Sequence, residues 1–293
     1  MLFIHRLPRL ARIIGLLSVA IALSACSAVK LGYNTLPQLG SWWLDTYLDF
    51  SDEQERRVRD DLARMHQWHR RQELPKLAGL LHQVEAMASG PTTAEMVCAL
   101  EPAIRLRIRS AAEFGEPAAV TLALNLGPLQ LVNLKRKFDR NNADYRKDWI
   151  ELSAIELREK RLKRYLERME TIYGEVNDAQ RETMREQVAH SVFDPQLNLL
   201  ERQRRQRDIL QTLAKLAGQP VSLGDARSAI RALIERAIQP PDTRYRAYQE
   251  LQIQEGCANL AAVHNSTTPQ QRQNAVRRLG AYQRDLQELA TQP

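Results

Sequence analysis

The chain has 293 residues, of which 44% are hydrophobic and 26% are charged. This balance suits a folded soluble body, and the length allows a sizeable core in one elongated domain or two compact ones. Lysine and arginine exceed the acidic residues by 42 to 35, a formal net charge of +7. Three of these positive charges lie in the first 25 residues, where no acid occurs, and the mild excess in the rest of the chain argues against a nucleic-acid-binding function.

The first 25 residues have the pattern of a secretory signal peptide. Arg6, Arg9 and Arg12 precede a run of eleven apolar or small residues, 13–23, and no acidic residue occurs in this region. A membrane-spanning helix needs about 20 apolar residues, so the run is too short to be one. Removal of residues 1–25 lowers the net charge to about +4.

The sequence Leu23-Ser24-Ala25-Cys26 resembles the lipobox of bacterial lipoproteins. In that class the cysteine sulfur receives a diacylglyceryl group, the peptide is cut before the cysteine, and the new amino terminus is usually acylated. The resemblance implies lipid attachment at Cys26, and Ser27 in place of aspartate implies the outer membrane. An ordinary signal peptide with a chance cysteine is the alternative.

The remaining sequence predicts an all-α protein. Apolar residues recur at three- and four-residue steps, and no alternating pattern longer than four residues indicates a strand. We expect an elongated bundle of long, kinked, mostly antiparallel helices. Residues 26–40 are expected to form a lipidated tether with an aromatic segment that leads into the body, and residues 41–293 a single elongated helical domain.

In chain order, the first helix is predicted from Ser51. Pro75 is expected to kink or divide it, and the sequence SGPTT, residues 89–93, ends it. A second helix follows, and the sequence FGEP, residues 114–117, is expected to break it.

A very long helix is then predicted from Pro128 to about Tyr173, which at 1.5 Å per residue would reach about 65 Å. Asp194-Pro195 reads as an N-cap followed by a proline in the first turn, and therefore as a kink or a new start. Three shorter helices are predicted at about 223–238, 241–264 and 269–290.

Four helix starts share one motif. The sequences FSDEQ, LGPLQ, VNDAQ and TTPQQ (residues 50–54, 126–130, 176–180 and 267–271) each contain a capping residue or glycine, two variable positions and a glutamine. The glutamine can reach back to the amide of the capping residue, so four capped helices account for the pattern. The first three also resemble the Leu-Thr-x-x-Gln signature of small helical periplasmic stress proteins, including spheroplast-type chaperones.

Two longer blocks resemble an uncharacterised family of Gram-negative lipoproteins, a domain of unknown function. Their shared residues are Tyr33-Asn34, Trp42-Trp43, Asp45 and Asp49 in the first block, and Trp68-His69-Arg70 with Glu73-Leu74-Pro75 in the second. Segments 134–149 and 201–210 are similar to that family too, so the resemblance covers most of the mature chain. It implies an envelope lipoprotein with an all-helical body, and it implies no activity.

Two cysteines remain if Cys26 is acylated. An oxidising envelope favours a disulfide between Cys98 and Cys257, which would join an early helix to a late one. Two separate buried thiols are the alternative.

The candidate binding face consists of aromatic, acidic and histidine side chains: Trp42, Trp43, Asp45, Asp49, Trp68, His69 and Glu73. Asp45, Asp49 and Asp52 have helical spacing beside aromatics, similar to the paired carboxylates of glycoside hydrolysis. Alternatively, the acids favour a helix amino end, and the aromatics pack the tether onto the body or rest at a membrane interface.

His66, His69 and Glu73 fall near one helix face, where a zinc ion is geometrically conceivable. No second cluster completes four ligands, and a histidine on an apolar stripe more commonly bonds to a neighbouring side chain. We expect no metal centre and no cofactor.

Two further features each have a structural and a functional interpretation. Asn141-Asn142 either fixes the register between helices or lines a binding groove. The basic blocks 158–164 and 201–207 are either solvated helix faces or sites for acidic headgroups.

These patterns predict a lipid-anchored protein of the bacterial cell envelope, in the outer membrane facing the periplasm. We expect a non-enzymatic binding, scaffolding or chaperone-like role, with the membrane as one partner and an envelope protein, lipid or peptidoglycan as another. No nucleic-acid partner is expected. The alternative is a peptidoglycan- or lipid-modifying hydrolase that uses Asp45, Asp49 or His69.

Overall fold

A computed structural model describes residues 29–292, and this part of the chain is helical with no strand, which confirms the all-α prediction. Residues 1–28, with the predicted signal peptide and Cys26, lie outside the described residues, as does Pro293. The α-helices are α1 (29–34), α2 (Leu36–Leu48), α3 (Asp52–Trp68), α4 (Leu74–Ala88), α5 (Ala94–Cys98), α6 (Glu101–Leu124), α7 (Pro128–Tyr145), α8 (Ala154–Tyr173), α9 (Asp178–Ala189), α10 (Pro195–Gly218), α11 (Leu223–Ile238), α12 (Thr243–Asn265) and α13 (Pro269–Thr291). Two π-helical turns, His69–Glu73 and Arg146–Ile150, follow α3 and α7.

The single long helix predicted from Pro128 to Tyr173 is wrong. The helix stops after the second π-turn, and a new helix starts at Ser153, whose hydroxyl oxygen accepts the N–H of Glu156 at 3.3 Å. The Glu156 carboxylate accepts the Ser153 N–H in return, at 2.8 Å. This reciprocal cap is a strong local start signal, and it divides an apolar stripe that reads as continuous.

The predicted break at residues 114–117 is also wrong, because α6 continues through Pro117. Glu116, 4% exposed, forms ion pairs with Arg227 and Arg231 of α11 at 2.8 and 2.9 Å. Val120 lies in a buried cluster with residues of α10 and α11. Packing against these helices therefore outweighs the helix-breaking tendency of a proline.

Pro75 lies in the first turn of α4, directly after the π-turn His69–Glu73. A proline is tolerated there because its missing N–H would have no partner in a regular first turn. The predicted start at Asp194-Pro195 is confirmed, since the Asp194 carboxylate accepts the N–H groups of Gln196 and Leu197. The three later helices also begin and end within about two residues of their predicted limits.

The core is divided into four buried clusters, each shared by two or three helices. One cluster joins α6, α10 and α11, and a second joins α4, α8 and α13. A third joins α8, α9 and α12, and a fourth holds Leu48 of α2 against Leu134 of α7. The amino-terminal helices are therefore part of the body.

The four capping motifs begin α3, α7, α9 and α13. At each start the glutamine side chain accepts the backbone N–H of the N-cap residue, at 2.9 to 3.0 Å. The N-cap residues are Ser51, Gly127, Asn177 and Thr268. The prediction of four capped helices is confirmed.

The same four glutamines also pair across the molecule. Gln54 and Gln130 exchange two amide hydrogen bonds of 3.2 and 2.8 Å, and Gln180 and Gln271 exchange two of 2.8 and 2.9 Å. Each glutamine also donates to the backbone carbonyl two residues before the N-cap of its partner's helix. These carbonyls belong to Asn125, Asp49, Ser266 and Glu175.

The two glutamine pairs mark two equivalent junctions of four helices. The turns α2–α3 and α6–α7 meet at the first junction, and α8–α9 and α12–α13 meet at the second. The first turn reads Tyr-x-acid-x-cap-Asp-x-Gln in both cases, at 47–54 and 173–180. The second turn reads cap-Pro-x-Gln, at 127–130 and 268–271. The chain therefore contains one four-helix junction twice, with its parts in the same order.

A disulfide joins Cys98 of α5 to Cys257 of α12, with an S–S distance of 2.06 Å. Beside it, Thr92 and Asn265 exchange hydrogen bonds of 3.0 and 2.8 Å between backbone and side chain. The loop before α5 is thus fixed to the end of α12 by covalent and polar contacts together.

Candidate functional site

The residues of the candidate binding face fall into two groups with different surroundings. Trp42 and Trp43 lie on α2 and are 66% and 52% exposed. His69 and Glu73 begin and end the first π-turn, where α1 docks onto the body. Because π-turns frequently occur at functional sites, this turn is a candidate functional site.

Tyr33 of α1 contacts both histidines of this region. Its hydroxyl lies 3.0 Å from His69 Nδ1, and its backbone carbonyl lies 3.0 Å from His66 Nε2. In a regular helix the Tyr33 carbonyl would accept the N–H of residue 37. Residue 37 is a proline and has no N–H, so the His66 imidazole takes its place as the partner of this carbonyl. Burial lowers the pKa of both histidines below the ordinary value, so both favour the neutral form.

Two charged side chains complete this docking site. Arg70 donates to Asn34 Oδ1 at 2.6 Å and lies over the Tyr33 ring, 5.6 Å from its centroid. Glu73 is 1% exposed and pairs with Lys76 at 2.8 Å and with Arg107 of α6 at 3.2 Å. Glu73 therefore joins the π-turn to α6 as a buried ion-pair acceptor.

Trp68 also contacts α6. Its ring stacks on Phe114 with centroids 4.4 Å apart and planes 11° from parallel. Among the residues that the structure describes, no group of three or more His, Cys, Asp or Glu side chains has the arrangement of a metal site.

The acids of the aromatic block serve the turn between α2 and α3. Asp45 Oδ1 accepts the N–H of Phe50 at 2.8 Å. Asp49 has a left-handed backbone, φ 54°, and its side chain lies 3.4 Å from Asn133 Nδ2. Asp52 is in the first turn of α3, where a negative charge is favourable. All three acids therefore have a local structural role.

A separate cavity of about 310 Å³ opens between α2, α7, α10 and α12. Its lining combines aromatic, amide and charged side chains: Tyr47, Phe138, Asn141, Asn198, Glu201, Arg202, Arg205, Gln206 and Tyr245. The volume is at the lower end of the range for small-molecule sites. Sequence reasoning did not find this cavity as a whole, because its lining comes from four separate helices.

The Asn141-Asn142 pair fixes two helices against each other and also borders the cavity. Asn142 exchanges amide hydrogen bonds of 2.7 and 3.1 Å with Gln206, which fixes α7 against α10. Asn141 donates to the Tyr47 hydroxyl at 2.7 Å and lines the cavity. One residue of the pair was therefore a sequence signal for the cavity.

The two basic blocks are largely engaged within the fold. Arg204 and Arg205 pair with the buried carboxylate of Glu201 at 2.7 and 2.6 Å. Lys160 pairs with Asp148 at 3.0 Å and lies 4.9 Å from the centroid of the Trp149 ring. These contacts favour the structural interpretation of both blocks.

Within residues 29–292 no single helix has the length and apolar composition to cross a membrane. The segments Ala94–Leu124 and Pro128–Ile150 have that length and composition only when they are taken together, and a bend of 119° separates them.

A protein-family model matches more than half of the chain. The model of a family of unknown function (DUF6279) matches residues 46–226, which extend from α2 into α11 and include three of the four capping motifs. No curated protein and no solved structure matches the chain at a significant level.

Proposed function

The chain belongs to the family of unknown function DUF6279, and we propose from its own residues that it is a lipid-anchored protein of the bacterial cell envelope. In this proposal it acts by binding or scaffolding and not by catalysis. The anchor rests on the sequence Leu23-Ser24-Ala25-Cys26, and the outer membrane is proposed because Ser27 follows the cysteine. Lipid chains contribute about 0.8 kcal/mol per buried methylene, so two or more chains would hold the protein permanently.

One observation carries the non-catalytic part of the proposal: the side chains proposed for hydrolysis are already bonded to the fold. Asp45 accepts a backbone N–H of the α2–α3 turn, and His69 bonds to Tyr33. Asp49 contacts Asn133 and sits where the turn needs a left-handed residue. A general acid or nucleophile must instead reach its substrate, with its pKa matched to that task.

The cavity between α2, α7, α10 and α12 is the proposed place of binding. Its three aromatic rings offer stacking surface, and the guanidinium group of Arg202 favours an acidic group on the ligand, whereas Arg205 is already paired with Glu201. An envelope lipid, a peptidoglycan fragment or a segment of an envelope protein can each carry such a group.

Metabolic labelling with palmitate tests the anchor. The wild type should incorporate label, and Cys26→Ala should incorporate none, because the acylated sulfur is lost. The double variant Cys98→Ser/Cys257→Ser is the matched control: it also changes cysteines and should keep the label. Label on Cys26→Ala would contradict the proposal.

In-cell crosslinking followed by mass spectrometry tests the cavity. Arg202→Ala should reduce the yield of the crosslinked partner at least about fivefold, the order expected for one charged hydrogen bond. Arg207→Ala is the matched control, because Arg207 is an exposed arginine of the same helix that does not line the cavity. Equal yields from the two variants would show that the partner binds elsewhere.

A further inference from the structure

An uncharged surface begins at the first described helices. Residues 31–44 contain no charged residue, although 26% of the chain is charged. Five large apolar side chains of this segment are more than half exposed: Leu31 67%, Leu36 51%, Leu39 52%, Trp42 66% and Trp43 52%. We call these five residues the apolar face. Contiguous exposed apolar surface of this kind usually marks an interaction site.

The five side chains point in similar directions. The helical path continues through the turn at residue 35, since Thr35 N–H donates to Leu31 O and Leu39 N–H donates to Thr35 O. At 100° per residue the five positions fall within an arc of about 140°. From Leu31 to Trp43 the face is about 18 Å long.

The opposite side of the same helices is fixed to the body. Lys30 pairs with Asp285 of α13 at 3.4 Å, and Asn34 accepts a hydrogen bond from Arg70. Ser41 is buried at 3% exposure. The helices therefore cannot rotate to cover the apolar face without losing these contacts.

The position of the face relative to Cys26 indicates what covers it. Leu31 is five residues after Cys26, and five fully extended residues reach at most about 18 Å. If Cys26 carries lipid, Leu31 at the near end of the face is held within that distance of the bilayer. Tryptophan is enriched at membrane–water interfaces, where its ring is apolar and its N–H remains hydrated.

We propose that the apolar face lies on the phospholipid bilayer surface and so fixes the orientation of the helical body on the membrane. This inference rests on the proposed lipid anchor and adds a second, non-covalent contact to it. The binding is driven by apolar burial, because residues 31–44 carry no charge and Lys30, the cation next to Leu31 in sequence, is already paired with Asp285 and Glu288. Zwitterionic lipid is therefore sufficient, and salt has little effect.

Fluorescence quenching by brominated lipid tests the inference on the full-length protein. The protein is reconstituted in phosphatidylcholine vesicles with or without brominated acyl chains. One variant, Trp68→Phe/Trp149→Phe, keeps the two tryptophans of the face. The matched variant, Trp42→Phe/Trp43→Phe, keeps the two tryptophans that pack on Phe114 and Tyr145.

Brominated lipid should quench the first variant at least about twofold and the second only slightly, because quenching requires contact with the acyl region. About 1 M NaCl should not change this difference, since the contact is not ionic. Equal quenching of the two variants would overturn the inference. After equal quenching, chemical crosslinking of the vesicle-bound protein shows what covers the apolar face instead of the bilayer. A crosslinked dimer indicates a second copy, and a monomer indicates another part of the same chain.

The two proposals fail separately. Palmitate label on Cys26 without quenching of Trp42 and Trp43 would leave the anchor standing and refute the bilayer contact. Quenching without label would refute the lipid anchor alone, since the apolar face would then bind the vesicle without it.

Discussion

The glutamines of the two junctions each satisfy several backbone groups at once. Gln180 is 2% exposed, accepts the Asn177 N–H, and donates to both Ser266 O and Gln271. A buried amide is stable when every donor and acceptor has a partner, and it is costly when one is lost. The four glutamines therefore contribute more to the stability of the fold than ordinary capping residues do.

Replacement of one of them should destabilise the protein more than loss of a cap. Gln180→Ala leaves a backbone N–H, a backbone carbonyl and the buried amide of Gln271 without their partner, and should lower the free energy of unfolding by about 3 kcal/mol. Urea unfolding measures this change. Gln270→Ala, an exposed glutamine on α13, is the control and should change stability by no more than about 0.5 kcal/mol. Similar losses from both variants would show that the glutamine pair has no special role.

At the scale of the helix, the docking of α1 depends on two neutral histidines. The pKa of His66 and of His69 is lowered in the folded protein, chiefly by burial. As pH falls through the ordinary histidine pKa of about 6.5, the unfolded chain binds protons before the folded one does. The contribution of these residues to stability is thus present above that pH and is lost below it.

Unfolding by urea at pH 7.5 and 5.5 should reveal this loss. The wild type should be less stable at the lower pH, and His66→Gln/His69→Gln should show a smaller difference between the two pH values, because its amides do not titrate. The control is His82→Gln, which removes a histidine that is 69% exposed and should leave the pH dependence unchanged. An unaltered pH dependence in the double variant would exclude these histidines as its source.

Most helix limits could be predicted from the sequence, because capping residues and prolines act locally. The starts at Ser51, Asp194 and Thr268 belong to this class. Two predictions of helix limits were wrong, for different reasons. The stop after the second π-turn was hidden by an unbroken apolar stripe, and the continuation through Pro117 depends on packing against α11, which no local pattern records.

The candidate site was predictable only in part. His66, His69 and Glu73 were identified as a group from their spacing, and they lie in and directly before one π-turn. Their use in docking α1 could not be read from sequence, because it depends on Tyr33, 33 and 36 positions away from the two histidines. The cavity was missed for the same reason, since Tyr47 and Tyr245 come together only after folding.

For the whole molecule, the repeated junction is the main organising feature. The family match ends at residue 226, before the turn that carries Gln271, yet that glutamine completes the second pair. The sequence signal for the repeat was present as alternating cap-Asp-x-Gln and cap-Pro-x-Gln motifs. Its meaning became visible only when the pairing of the amides was known.

The disulfide between Cys98 and Cys257 has a mechanical consequence. The two cysteines are separated by 159 positions, so the intervening chain forms a closed covalent loop that cannot be stretched while the bond is intact. Phe138, Arg202 and Tyr245 of the cavity all lie inside this loop. A pull between the two chain ends would lengthen only the segments outside the loop, so Tyr47 of α2 would leave the cavity while the part of the lining inside the loop is shielded from the tension.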